Sequence, residues 1–225
     1  MKNVGIIPAR GGSKSITKKN MQLLGGKPLI EYTIETAIKS KVFDIIAITT
    51  DCNDILEISR KFKNVFLIKR PDEISTDTSS TVDCVMHACD VIKSEKKIIP
   101  DFVITLEPTS PFRSVTVIEK CINILKTENT DSVVALSKSY GCYGEILNNR
   151  FIHFKPNQPR RRQEREPVFR ESGTIYGTKY RSLIKHKSII GKSMSPLIVN
   201  TYEAIDINEP EDLLYAEAVL SKKQL

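Results

Sequence analysis

Short apolar runs alternate with longer amphipathic stretches along most of this chain. The runs suited to buried β-strands cover residues 4–8, 45–49, 65–68, 102–106 and 132–136. Three sets of apolar residues between these runs each share one helix face: Ile30, Ile34, Ala37 and Ile38; Val82, Val85, Met86 and Cys89; and Ile118, Ile122 and Leu125. This alternation predicts an α/β fold, with a largely parallel, Rossmann-like sheet between two helical layers.

Residues 137–172 interrupt this rhythm with glycines, prolines and arginines. The pair Asn148-Asn149 lies there between the strand-like segments 145–147 and 151–154, which predicts a β-hairpin. We expect this hairpin to extend over the active site as an excursion from a single domain.

That single domain is expected to cover residues 1–225. After the excursion, strand patterns resume at 174–176 and 197–199, and a final helix begins at Pro210.

The net charge of +7 is concentrated in two short segments. Residues 8–20 carry four basic residues and no acid, and residues 155–170 carry six basic residues and two acids. Each segment has a charge of +4, so the rest of the chain is near −1. Focused positive charge suits a compact anion. A nucleic-acid platform would interleave aromatic with basic residues, and tryptophan is absent, so we expect no nucleic-acid partner.

Composition also argues against several other classes of protein. No apolar run approaches the roughly 20 residues that span a bilayer, and the chain reaches Pro8 and Arg10 before a signal-peptide core can form. We therefore expect a cytoplasmic protein without membrane contact. The five cysteines include no CxxC pair, which indicates free thiols in a reducing compartment. The three histidines have no metal-ligand spacing, which argues against a zinc site or a Ser-His-Asp triad.

The segment after the first predicted strand reads Ile7-Pro8-Ala9-Arg10-Gly11-Gly12-Ser13-Lys14 and continues to Lys18-Lys19-Asn20. Ligands of open α/β sheets bind at such carboxyl ends of strands. The two glycines allow a tight turn whose N–H groups approach phosphate oxygens, and Arg10 and Lys19 would neutralise a triphosphate. The P-loop and G-x-G-x-x-G spacings are both missing. A solvated glycine loop with incidental lysines is the alternative.

This loop resembles the signature of the CMP-acylneuraminate (sialic acid) synthetases and of their relatives that activate legionaminic and pseudaminic acids. The resemblance continues in order through Leu24-Gly25-Gly26-Lys27-Pro28-Leu29, Thr49-Thr50-Asp51, Arg70-Pro71, Thr76-Asp77-Thr78-Ser79-Ser80, Pro108-Thr109-Ser110-Pro111-Phe112-Arg113, Ser172-Gly173-Thr174-Ile175-Tyr176 and Ala204-Ile205-Asp206-Ile207-Asn208. It implies a three-layer, nucleotide-diphospho-sugar transferase-like α/β/α fold and a homodimer. The implied substrates are CTP and an acidic nine-carbon sugar, whose anomeric hydroxyl attacks the α-phosphate and releases pyrophosphate.

The resemblance also implies roles for individual residues. The catalytic group comprises Arg10, Lys19 and Asp206. The nucleotide-binding group comprises Ala9, Gly11, Gly12, Ser13, Asn20, Arg70, Ser80 and Thr81, and the sugar-binding group comprises Glu107, Thr109, Arg162 and Arg170. A guanidinium fork suits the carboxylate of such a sugar. The excursion at 137–172 would be a lid over the sugar and a dimer contact, and a mobile surface loop is the alternative.

The segment 204–208 predicts a metal site. Alternation puts Asp206 and Asn208 on one side and the two isoleucines on the other. Two oxygen ligands at a strand end suit Mg²⁺, which fills its shell with water and substrate phosphates, so Mg²⁺ is the expected cofactor and would polarise the α-phosphate. Asp206 as the cap of the following helix is the alternative.

Three departures from the family pattern concern the sugar and the metal. Asn208 stands where a second aspartate is common, Glu107 stands where glutamine is usual, and a His-Pro pair with a nearby lysine is missing from residues 137–144. They indicate an altered acceptor, either a nonulosonic acid with an amino substituent or another sugar such as a 3-deoxy-octulosonic acid relative. A nucleotide-binding regulatory subunit without turnover is the third alternative. No general base is identifiable from the sequence.

Overall fold

The computed structural model describes residues 1–13 and 15–223. Lys14 of the glycine loop therefore lies outside the described residues. The strands are β1 Asn3–Pro8, β2 Leu23–Leu24, β3 Lys27–Pro28, β4 Ile45–Thr50, β5 Phe66–Lys69, β6 Phe102–Thr105, β7 Ser132–Ser139, β8 Gly144–Leu147, β9 Arg150–His153, β10 Val168–Lys179 and β11 Met194–Val199. The helices are α1 Leu29–Ser40, α2 Asn53–Arg60, α3 Thr81–Lys96, α4 Val115–Thr127, α5 Tyr180–His186 and α6 Pro210–Lys223.

A seven-stranded sheet forms the centre of the domain, with the strand order β11-β7-β10-β6-β1-β4-β5. β1 is parallel to β4 and β6, β5 is parallel to β4, and β11 is parallel to β7. β10 is antiparallel to both β6 and β7. The predicted α/β fold with a largely parallel sheet is confirmed, and one antiparallel strand brings the chain back from the excursion.

Alternate residues of β1 face opposite sides of the sheet. Ile7 packs with Ile48 and Ile104 against α1 and α4, while Val4 and Ile6 pack on the other face against α3. A strand buried on both faces needs apolar residues at nearly every position. This double burial explains why the sequence predicted β1 as a continuous apolar run.

The predicted hairpin is confirmed by the antiparallel pairing of β8 with β9. Asn148 and Asn149 connect the strands with φ angles of 50° and 61°. Positive φ at both central positions is typical of a type I′ turn, which asparagine tolerates. All residues of β9 and all but Gly144 of β8 are exposed, so the hairpin projects away from the packed domain.

Two helices were not predicted from the sequence. In α2 only Ile55 and Ser59 are buried, so too few apolar positions recur to mark a helix face. α5 is only seven residues long and begins directly after β10. Among the described residues, every helix is too short or too polar to span a bilayer.

Candidate active site

A polar cleft of about 400 Å³ lies at the edge of the sheet where β1, β4, β5 and β6 end. The predicted site residues that line it are Arg10, Gly12, Ser13, Lys19, Asn20, Arg70, Thr81, Glu107, Thr109, Asp206 and Asn208. The fold thus brings together residues from the first tenth and the last tenth of the chain. Ala9, Gly11, Ser80, Arg162 and Arg170 are not part of this lining.

Hydrogen bonds between backbone groups of the glycine loop and neighbouring residues hold the loop in its conformation. The Ala9 N–H donates to the Thr49 carbonyl at 3.0 Å, and the Gly11 N–H donates to Asp51 Oδ1 at 3.0 Å. The buried Asn20 side chain donates to the Arg10 carbonyl at 3.0 Å. Sequence reasoning expected the Gly11 N–H to meet a phosphate, but this donor is already bound by Asp51. Ala9, Gly11 and Asn20 therefore shape the loop, while Gly12 and Ser13 face the cleft.

Gly11 also has a steric reason to be glycine. A Cβ added there would lie 2.8 Å from the Cys52 Cβ, closer than two carbon atoms pack without a shift. The same addition at Gly12 would have no neighbour within 4 Å among the described atoms. Because Gly11 has no side chain, the loop can pack closely against Cys52 at the start of α2. Gly12 has open space beside it.

Arg10 extends across the cleft toward the loop that follows β5. Its Nη1 donates to Asp77 Oδ1 at 2.6 Å and to the Thr76 carbonyl at 3.2 Å. A guanidinium group has five N–H donors, and these bonds use only Nη1. Among the described residues Nη2 and Nε have no hydrogen-bond partner, so their donors are available to an anion in the cleft.

A chain of hydrogen bonds connects the glycine loop with the end of the sheet. Lys19 Nζ donates to Asn208 Oδ1 at 3.0 Å, and the Asn208 amide nitrogen donates to Asp206 Oδ2 at 2.8 Å. The Ile207 N–H donates to the Thr109 carbonyl at 2.8 Å, which fixes this segment beside the loop after β6. The cationic loop and the predicted metal ligands thus form one network.

Asp206 fits a cation. Its Oδ1 is buried and accepts no hydrogen bond from the described residues, which is the kind of unsatisfied acceptor that a bound ion or water satisfies. A Cβ added at Gly173 would lie 3.1 Å from Asp206 Oδ2, so the absence of a side chain there makes room for the carboxylate. The alternative role as a helix cap is not supported, since Asp212 Oδ2 accepts the N–H groups of Asn208 and Glu209 before α6.

Asn208 fits a cation less well in this conformation. Its oxygen accepts from Lys19, and its amide nitrogen faces Asp206. Within the described part of the chain, no group of three or more histidine, cysteine, aspartate or glutamate side chains could hold a metal ion. A small ligand set is still compatible with Mg²⁺, which keeps several waters and substrate oxygens in its shell.

Arg70 is buried at the back of the cleft. Its Nη2 donates to the Thr49 carbonyl at 3.3 Å, its Nη1 contacts the Cys84 Sγ at 3.0 Å, and Asp51 lies 3.9 Å away. Its Nε is buried and has no hydrogen-bond partner in the described part of the chain. Burial raises the pKa of the Cys84 thiol. The unpaired Nε leaves Arg70 with donor capacity for a ligand.

Ser80 and Thr81 lie where α3 begins. Ser80 is the N-cap: its Oγ accepts from the Asp83 N–H at 3.2 Å and donates to Asp83 Oδ2 at 2.7 Å. This hydroxyl is therefore committed to the helix, and the cleft is lined instead by its neighbours Ser79 and Thr81.

Glu107 and Arg113 share the loop after β6 without forming an ion pair. Arg113 is 3% exposed and donates to the Glu107 carbonyl at 2.7 Å, to Thr33 Oγ1 at 3.1 Å and to the Thr174 carbonyl. Burial lowers the pKa of Arg113 to about 10. Burial, and then the charge of Asp206, raise the pKa of Glu107 to about 7, against the opposing effect of Arg113. Arg113 was part of a recognised motif, but its internal bonding could not be seen in the sequence.

Tyr176 and Gly173 line the cleft although sequence reasoning gave them no role. The Tyr176 hydroxyl donates to Glu171 Oε1 at 3.0 Å, and burial together with Glu171 raises its pKa. Both residues belong to the motif at 172–176, and that motif was the signal that could have identified them.

Arg162 and Arg170 lie away from the cleft in this chain. Arg162 is exposed, with its guanidinium carbon 5.7 Å from the Tyr140 ring centroid. Arg170 lies on β10 opposite Ser137 and lines a separate, apolar cavity of about 270 Å³ with Tyr143 and other residues. Within one copy of the chain, neither arginine lines the cleft. Their assignment to the sugar stays a prediction.

The sequence of this chain is similar to those of known cytidylyltransferases. The family of cytidylyltransferases matches residues 4–222. The chain is 31% identical to the CMP-N,N'-diacetyllegionaminic acid synthase of Legionella pneumophila, over 100% of this chain and 98% of that protein. It is 28% identical to the N-acylneuraminate cytidylyltransferase of Escherichia coli, over 99% of this chain but only 53% of that protein.

A solved structure with the same fold is that of CMP:2-keto-3-deoxy-manno-octonic acid synthetase complexed with CTP. The TM-score is 0.71 at 16% identity, over 99% of this chain and 100% of that one. At this identity the likeness concerns the fold, which agrees with the α/β sheet described above.

Proposed function

The chain belongs to the cytidylyltransferase family, and on that premise we propose that it transfers CMP from CTP to the anomeric hydroxyl of an acidic nine-carbon sugar and releases pyrophosphate. The observation that carries this proposal is the convergence of Arg10, Lys19 and Asp206 on one polar cleft. Two cations and one carboxylate with a free oxygen suit a triphosphate and the cation that accompanies it.

Arg10 and Lys19 bind the triphosphate in this proposal. Arg10 keeps Nη2 and Nε available, and Lys19 exchanges its neutral partner Asn208 for phosphate oxygens. Charge-assisted hydrogen bonds to phosphate are shorter and stronger than those between neutral groups. Because charge accumulates on the departing pyrophosphate, both residues stabilise the transition state more than the bound substrate.

The nucleoside lies deeper in the cleft, between the glycine loop and α3. Arg70 offers an unsatisfied buried N–H there, and Ser13, Asn20 and Thr81 add polar groups along the wall. A buried donor without a partner favours a ligand that accepts its hydrogen bond. The acceptor groups of a cytosine base have this property.

Mg²⁺ is the cofactor in this proposal, and Asp206 is the residue that would hold it. When bound, the ion would polarise the α-phosphate and favour the ionised form of the attacking hydroxyl. Asn208 orients the Asp206 carboxylate through its amide nitrogen, and rotation of the amide would present its oxygen to the same ion.

The excursion joins two copies of the chain in this proposal. Its exposed apolar side chains are Tyr143, Ile146, Leu147, Phe151, Ile152, Phe154 and Phe169. An exposed apolar surface of this extent is typical of an interface between protein chains. A homodimer formed there would place the arginine-rich segment of one copy near the sugar of the other, which accounts for Arg162 and Arg170 lying outside the cleft of their own chain.

The function is tested by an assay of pyrophosphate release with CTP, Mg²⁺ and a panel of acidic sugars. The panel contains sialic, legionaminic and pseudaminic acids, and 3-deoxy-octulosonic acid as the eight-carbon alternative. We expect turnover with at least one nine-carbon acid, and none without sugar. Turnover with the eight-carbon acid alone would contradict the proposed acceptor. A melting temperature that rises with CTP while every sugar fails would favour the regulatory subunit.

A further inference from the structure

Glu107 is a carboxylate without a partner in the cleft. Its backbone carbonyl accepts from Arg113 at 2.7 Å and from Thr33 Oγ1 at 3.4 Å, so the backbone is held from behind. Its carboxylate accepts no hydrogen bond from the described residues and lines the cleft. A partly buried carboxylate normally has a donor or a cation beside it, and here Arg113, on the same loop, gives its donors to other groups.

Asp206 lies on the segment next to Glu107. The hydrogen bond of 2.8 Å from the Ile207 N–H to the Thr109 carbonyl holds the two segments side by side, and both carboxylates line the same cleft. Asp206 Oδ1 is also without a donor among the described residues. The Glu107 carboxylate and one oxygen of Asp206, both without a donor among the described residues, therefore share one wall.

The basic residues around this wall form no hydrogen bond or ion pair with the Glu107 carboxylate among the described residues. Lys19 donates to the amide of Asn208, and Arg113 donates to carbonyls and to a threonine hydroxyl. Two like charges in a partly desolvated site repel each other, and a cation between them removes that cost. Carboxylate oxygens are the ligands that Mg²⁺ and Mn²⁺ prefer.

In this conformation Asn208 presents its amide nitrogen to Asp206, so a second oxygen ligand for a cation at Asp206 comes from another residue. We propose that Glu107 and Asp206 together bind a divalent cation in the cleft, with Asn208 orienting Asp206 through its amide. The use of this cation in catalysis rests on the proposed function, whereas its binding to the two carboxylates does not.

The test is a titration of the purified protein with Mn²⁺, followed by electron paramagnetic resonance of the free ion. It is carried out without nucleotide and again with a non-hydrolysable CTP analogue. We expect Glu107→Gln and Asp206→Asn each to raise the dissociation constant for Mn²⁺ by about tenfold or more. Glu209→Gln is the matched control, because Glu209 is exposed and does not line the cleft, and it should bind Mn²⁺ as the unchanged protein does.

Two results overturn the inference. One is a Glu107→Gln variant that is folded, by its melting temperature, and binds Mn²⁺ as tightly as the unchanged protein under both conditions. The other is unchanged Mn²⁺ binding together with a raised KM for an amino-substituted sugar, which would assign Glu107 to a substrate ammonium group. Failure of CTP turnover with intact Mn²⁺ binding overturns the proposed function and leaves this site standing.

Discussion

Lys19 Nζ donates a hydrogen bond of 3.0 Å to Asn208 Oδ1, although the two residues are 189 positions apart in the chain. The Asn208 amide nitrogen then donates to Asp206 Oδ2 at 2.8 Å. This relay makes the cationic loop and the carboxylate segment a single unit, so a change at position 208 acts on both. It also means that the neutral amide, which is a weak metal ligand, has a defined role as a bridge.

Replacing Asn208 by aspartate tests that bridge. The new carboxylate would put an anionic oxygen where an N–H group now faces Asp206, while Lys19 would gain an exposed ion pair worth at most about 1 kcal/mol. We expect the melting temperature of Asn208→Asp to fall in EDTA and to rise with Mg²⁺ by more than that of the unchanged protein. Asn64→Asp, at an exposed position distant from Asp206 in the chain, is the control. Equal shifts with Mg²⁺ in all three proteins would contradict the prediction.

The central strands in the first half of the chain could be predicted because they are buried on both faces of the sheet. The run ending at Pro8 and the helix after Pro28 are patterns that local sequence determines, and both are found. The loop between them was identified as cationic and glycine-rich from residues that are adjacent in the sequence.

The details of the site could not be predicted because they depend on distant partners. Asp51 takes the Gly11 N–H, and Arg113 bonds Thr33 and the Thr174 carbonyl. These hydrogen-bonded partners are far apart in the sequence and meet only when the strands pack together. A local sequence pattern therefore cannot predict them. The family resemblance assigned Arg162 to the sugar. In one chain Arg162 lies on the excursion beside Tyr140, and its assignment stays a prediction.

Gly11 and Gly12 should respond differently to alanine. The added methyl group of Gly11→Ala would collide with Cys52, and the backbone shift would strain the bond from the Gly11 N–H to Asp51. Overpacking of this kind costs about 1–3 kcal/mol. We expect urea denaturation to show this loss in the free energy of unfolding for Gly11→Ala. Gly12→Ala should lose almost none, because the added methyl group enters open space. Equal losses in the two variants would show that the loop is not packed against α2 as described.

Glu107 should make the stability of the metal-free protein depend on pH. Its pKa is raised to about 7 in the folded protein from an ordinary value of 4.5, so between these values the folded state binds more protons than the unfolded state. The free energy of unfolding should therefore fall as pH rises through this window, with a slope of at most about 1.4 kcal/mol per pH unit from this group.

Glu107→Gln removes this contribution. In EDTA, urea denaturation at several pH values between 4.5 and 7 should show a flatter profile for the variant than for the unchanged protein. Asp206 favours the protonated form of Glu107, whereas Arg113, Lys19 and Arg70 oppose it. Parallel profiles would mean that Glu107 is not desolvated in the folded protein.

The exposed apolar side chains of the excursion should be needed for the homodimer. Ile146 is 75% exposed on β8, and a charge there would be costly to bury at an interface. We expect light scattering to show a dimer for the unchanged protein and a monomer for Ile146→Glu. Ile99 is 58% exposed outside the excursion, and Ile99→Glu should remain a dimer. A monomeric unchanged protein, or a dimeric Ile146→Glu, would contradict this interface.

The role of the cleft is tested by the rate of pyrophosphate release from CTP and an acidic nine-carbon sugar in the unchanged protein, Arg10→Ala and Arg60→Ala. Arg10 lines the cleft, whereas Arg60 is exposed at the end of α2. We expect turnover in the unchanged protein, a loss of about 100- to 1,000-fold in Arg10→Ala and no loss in Arg60→Ala. Turnover in Arg10→Ala equal to that of the unchanged protein would contradict the assignment of the cleft, and no release with any acidic nine-carbon sugar would contradict the reaction itself.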